Sequence, residues 1–139
     1  MTRPRASMAG QPAQKSALKR RIRALYQKYN QEDRERCYQF LDPRLREKTG
    51  VEFARYADSL GDFKRQYGQV RIWHLDVNLY LDARANRHDE RPFAYGYVFW
   101  RDDHQAFHVF RERWVLDLGR WYTRVVGLVT HDGSDGRQG

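Results

Sequence analysis

Two hydrophobic periods divide this chain. Up to Tyr67 the apolar residues recur at steps of three and four; from Val70 onward they alternate with polar ones. Leu18, Ile22, Leu25, Tyr26 and Tyr29 make one apolar stripe opposite a basic face and predict a first helix, with Ser16 as its N-cap. A shorter helix is expected near Glu32, burying Cys37, Phe40 and Leu41. Asp42-Pro43 stops it, because proline cannot continue the hydrogen-bond ladder and restricts the residue before it. Asp42 in turn caps one further turn through Arg44-Leu45-Arg46. Thr49-Gly50-Val51-Glu52 reads as a capping box that opens a third helix, with the stripe Phe53, Tyr56, Ala57, Leu60 and Phe63 and an end near Tyr67-Gly68.

The alternating half predicts strands. Over Val70–Ala83, Trp73, Leu75, Val77, Leu79 and Leu81 form a buried face, and His74, Asp76, Asn78, Tyr80 and Asp82 a wet one. A polar loop follows to Pro92. Phe93–Arg101 is a second strand with both phases apolar, so both its faces are expected to be covered. Asp102–Gln105 makes a turn before third and fourth strands at Ala106–Asp117 and Arg120–Val129. The last two are joined by a tight turn at Leu118-Gly119, where glycine tolerates positive φ. Short links between successive strands imply an antiparallel meander. The expected class is α+β, three N-terminal helices packed on a curved four-stranded antiparallel sheet.

Composition narrows the class. At 139 residues the chain is one domain, read as residues 16–130, with a disordered basic arm at 1–15 and a flexible tail at 131–139. No apolar run suffices to span a bilayer or to form a signal-peptide core, so a cytoplasmic protein is expected. The net charge of +8 is local: Arg3, Arg5, Lys15, Lys19, Arg20, Arg21 and Arg23 stand in the first 23 residues with no acid among them. From position 24 on, 19 basic residues face 18 acidic ones. Such an arm can grip nucleic acid or an acidic partner, or be a solvated helix face. The lone Cys37 excludes an internal disulfide and is expected to be inert packing. His74, His88, His104 and His131 lack metal-ligand spacing, so neither metal nor cofactor is expected.

Three stretches resemble the nuclear transport factor 2-like superfamily, the cone-shaped, cystatin-like α+β fold of SnoaL-like cyclases and ketosteroid isomerases. They are Tyr26 through Tyr38, where a first helix breaks into a second; Leu41–Arg46 followed by Val51-Glu52-Phe53; and the terminal hairpin Glu112–Val115 with Gly119–Tyr122. The resemblance covers about residues 16–129 and implies a conical pocket between helices and sheet, and pairing through the outer sheet surface. That scaffold hosts enzymes, binding proteins and interaction modules alike. The pocket would be lined by Tyr26, Tyr29, Trp73, Tyr95, Tyr97, Phe110 and Trp114.

Strand phase selects the polar residues of such a pocket. Turning Phe110 and Trp114 inward also brings in His108 and Glu112, whereas the opposite phase buries Arg111 and Arg113 unpaired. His108 and Glu112 are therefore the candidate catalytic residues. Four positions along a strand separate them by about 13 Å, so each needs its own partner, with Tyr29, Tyr95 and Tyr97 as candidates. The first strand offers no base on its buried phase, a departure from the catalytic members. The leading expectation is thus a homodimer that holds a small hydrophobic or aromatic molecule. An isomerase, cyclase or dehydratase using His108, Glu112 and a Tyr, and an interaction module using the basic arm, are the alternatives.

Overall fold

The computed structural model describes residues 6–49, 52–82, 91–126 and 129–130. Four helices precede the strands: α1 (Ala6–Asn30), α2 (Arg34–Tyr38), α3 (Pro43–Thr49) and α4 (Phe53–Tyr67). An antiparallel sheet follows in the order β1 (Arg71–Tyr80), β2 (Phe93–Arg101), β3 (Phe107–Asp117) and β4 (Arg120–Thr123). A separate two-stranded ribbon pairs β5 (Val125–Val126) with β6 (Val129–Thr130). The described chain is therefore α+β with an open four-stranded meander.

Several helical expectations are corrected. The first helix begins at Ala6, so residues 6–15 are helical rather than a disordered arm; residues 1–5 and the tail at 131–139 lie outside the described residues. Pro12 lies within this helix. Gln14 accepts a hydrogen bond from Trp121 Nε1 at 2.9 Å, which ties this turn to β4. The turn after Asp42 is a full seven-residue helix, making four helices rather than three. Pro43 both ends the preceding segment and opens α3, since its missing N–H is not needed in a first turn. Asp42 Oδ1 accepts from Arg44 N at 3.1 Å, as the sequence suggested. The capping box does not form: Thr49 closes α3 and Glu52 is the N-cap of α4, with no side-chain cap bond.

The strands hold two further corrections. Between Ile72 and His74 the β1–β2 register slips, leaving Trp73 as an extra residue. Leu75 and Val77 are buried as expected, but Trp73 is turned out and is 59% exposed. The fourth strand ends at Thr123 rather than Val129; Arg124 N still donates to Arg113 O at 2.8 Å, and its guanidinium bonds Asp42 at 2.8 Å. The expected tight turn is present, with Leu118 at φ 50° and Gly119 at φ 82°.

The core lies between the helices and one sheet face. Leu18, Ile22, Leu25 and Tyr26 of α1 and Tyr56, Leu60 and Phe63 of α4 pack with Val98, Trp100, Phe110, Trp114 and Trp121. Gly96 lies under this packing: a Cβ there would stand 2.8 Å from Ile22 Cδ1. Ile22 of α1 thus reaches β2 at Gly96.

Candidate functional site

The nine residues proposed from the sequence fall into two groups on opposite sides of the sheet. Tyr26, Tyr29, His108, Phe110, Glu112 and Trp114 lie on the helix-covered side, and Trp73, Tyr95 and Tyr97 on the other. They do not line one pocket.

On the covered side the third-strand phase is as expected. Glu112 is 1% exposed, and its two oxygens accept from the Tyr26 hydroxyl and from Trp114 Nε1, the latter at 3.1 Å. Burial pushes its carboxyl up to about 7, although both hydrogen bonds pull the other way. Burial and the neighbouring Glu112 likewise raise the Tyr26 hydroxyl well above its ordinary value. Among the described residues no cation pairs with Glu112, so the carboxyl is held in the core by two neutral donors. Phe110 and Trp114 pack around it at 2% and 0% exposure.

His108 is separate from this cluster. Its Nε2 stands 2.8 Å from Asp102 Oδ2, and its ring stacks on Trp100 with centroids 4.4 Å apart. Backbone N–H groups of His104 and Ala106 donate to the other Asp102 oxygen, fixing the carboxylate. Burial would raise the Asp102 carboxyl, but His108 and these two bonds hold it below the usual range. Tyr29, offered as a partner for the candidate pair, instead donates to Gly68 O at 2.5 Å. The partners are therefore Tyr26 and Asp102. The second lies in the Asp102–Gln105 turn, which the sequence offers only as a turn; the first could not be chosen among several tyrosines without the packing.

On the other side, β-alternation and the slip at Trp73 assemble an aromatic and arginine-rich face. Pairing puts Asp76, Tyr97 and Arg111 in one row across β1, β2 and β3, with Asn78, Tyr95 and Arg113 in the next. His74 and Asp76 point the same way, 3.2 Å apart. The Arg111 guanidinium lies 5.0 Å from the Tyr95 ring centre, and that of Arg113 4.1 Å from the Phe93 ring. At the end of this face Trp73 meets Phe99 and Phe107, with ring centres 5.5 and 6.2 Å away. Phe107 is 62% exposed and Tyr80 41%. No reading of one strand at a time could find this face, because it depends on which residues pair.

The basic run divides as well. Lys15, Arg20 and Arg23 are exposed and Lys19 is half-buried on α1, while Arg3 and Arg5 lie outside the described residues. Arg21 is structural: its Nε donates to Trp121 O at 2.9 Å and its guanidinium covers the Phe40 ring at 4.1 Å. Cys37 is buried with its thiol pushed up to about 12, mainly by burial. Among the described residues no three His, Cys, Asp or Glu side chains converge to hold a metal ion, and no helix is long and apolar enough to cross a membrane. Neither family models, curated proteins nor solved structures give a match to this chain.

Proposed function

We propose that this protein is a non-catalytic binding module of the nuclear transport factor 2-like kind, which pairs with a second copy through the outer face of its sheet. The family reading is supported by the order of helices and meander and by the terminal Trp-led hairpin. The pairing is carried by one observation: the row Asp76–Tyr97–Arg111 is charged oppositely at its two ends. A two-fold axis running along β2, midway between two facing sheets, lays β1 of each copy over β3 of the other. Asp76 then meets Arg111 of the second copy, Tyr97 meets its own equivalent, and exposed Trp73 meets exposed Phe107. Sheets packed in this way sit about 10 Å apart, and aromatic residues with arginine suit such an interface.

A small-molecule pocket in the cone has less support, since Ile22, Tyr26, Phe110 and Trp114 fill the space between α1 and the sheet. The acid–base reading keeps one supporting observation, a Glu112 carboxyl raised to about 7. Both of its oxygens are already engaged, however, and His108 serves Asp102.

Charge reversal tests the pairing. Sedimentation velocity on Asp76→Arg and on Arg111→Asp should each show dissociation, with about tenfold or weaker self-affinity for a lost charge pair. The double variant should restore the dimer. Dissociation that the double swap fails to repair would discard the proposed register.

A further inference from the structure

The two edges of the sheet are treated differently. At the β4 edge the segment Phe40–Asp42 lies alongside: Thr123 N donates to Phe40 O at 2.8 Å and Asp42 N to Thr123 O at 2.9 Å. That edge is closed by the chain's own backbone. The β1 edge has no strand beside it among the described residues. Among the described residues the position just before β1, Val70, is covered by a side chain. The Asn30 amide donates from Nδ2 to Val70 O and accepts at Oδ1 from Val70 N, both at 2.8 Å. It thereby makes the two bonds that a neighbouring strand would make.

Beside this mimic lies an open groove of about 510 Å³ between α1 and the start of β1. Arg23, Gln27 and Gln31 supply its helix wall, and Gln69 and Ile72 its strand wall. Planar amides beside an unpaired strand edge suit an extended backbone, which needs donors and acceptors in alternation. The charge on the helix wall has one sign: Arg23 follows Lys19 and Arg20, and α1 contains no acid. Rings for stacking nucleobases are missing from the groove. Its single aromatic residue, Tyr26, is 1% exposed and gives its hydroxyl to Glu112.

We infer that the groove between α1 and the β1 edge takes an extended acidic peptide segment of a partner protein, which adds to β1 as a further strand. Its acidic side chains face Arg23 and the preceding turn of α1, and its backbone continues the pairing that Asn30 begins. The site is independent of the outer sheet face, so a dimer leaves both β1 edges open.

A fluorescein-labelled eight-residue peptide of alternating Asp and Val is the probe, read by anisotropy with the full chain and by amide hydrogen exchange. Binding should slow exchange along β1, and Arg23→Glu should weaken it at least tenfold. Arg23 is exposed on α1, so circular dichroism of that variant should match the parent. A peptide with Lys in place of Asp should not bind. The inference is overturned if the acidic peptide does not bind, binds without slowing β1 exchange, or binds the Arg23→Glu variant equally well. Binding of a ten-residue oligo-dT strand that depends on Arg23, without peptide binding, would overturn it in favour of a nucleic-acid site.

Discussion

Glu112 shows what one buried carboxyl does to a small core. Its donors, Tyr26 and Trp114, are neutral, so nothing offsets the loss of hydration except two hydrogen bonds. A folded-state value near 7 against an ordinary 4.5 means that the native state holds the proton more tightly than the unfolded chain. Stability from this group is therefore complete below about pH 4.5 and is lost as pH rises through about 7. The change is on the order of 3 kcal/mol. Asp42 works in the opposite sense. Burial would raise it, but the two-pronged bond from Arg91 and a third bond from Arg124 hold its carboxyl low, so its contribution is lost on acidification. Glu112→Gln keeps the shape and removes the proton. Urea denaturation of that variant should show stability nearly constant between about pH 5 and 8, where the parent declines. A parent whose stability does not fall over that interval would contradict the assignment. That Glu112 points inward was legible from sequence, because the alternative phase buries Arg111 and Arg113. That Tyr26 meets it was not, since several tyrosines share the helical stripes.

Helix α1 touches β2 where Ile22 meets Gly96. A Cβ at position 96 would press on Ile22 Cδ1, the end of that side chain, at 2.8 Å. Gly96→Ala should therefore destabilise the fold by about 1–3 kcal/mol through overpacking. Adding Ile22→Val removes the Cδ1 that the new methyl strikes, and chemical denaturation should show part of the loss recovered. Additive losses in the double variant would mean that the helix and the strand do not touch as described. Strand positions were the most readable part of the chain, since period-two alternation and the Leu118-Gly119 turn leave little freedom. The slip at Trp73 was not readable. Trp73 itself continues the alternation of Leu75 and Val77, which hides the inserted residue; with the insertion, Val70 and Ile72 share the core side with Leu75 and Val77. The start of α1 was misjudged for a different reason: Pro12 is a strong local signal against helix, and the contact of Gln14 with Trp121 spans most of the chain.

For the whole molecule, helices on one side of a four-stranded sheet leave the opposite side in need of a cover. The layer order was legible because each half of the sequence keeps one hydrophobic period. Function was less so, because the two faces of β2 are equally apolar in sequence and only the pairing shows which one the helices take. Trp73 and Phe107 remain outside together at one end of the outer face, at 59% and 62% exposure, and Tyr80 at the other end of β1, at 41%. The proposed second copy, turned about an axis along β2, would cover Trp73 and Phe107 and join Asp76 to Arg111. Light scattering on the full chain during size-exclusion chromatography measures this directly. Self-association through the sheet predicts a mass of twice 16.7 kDa. It also predicts a return to the single-chain value when Arg111 is changed to Asp. A mass of 16.7 kDa for the unaltered chain at every concentration would contradict it.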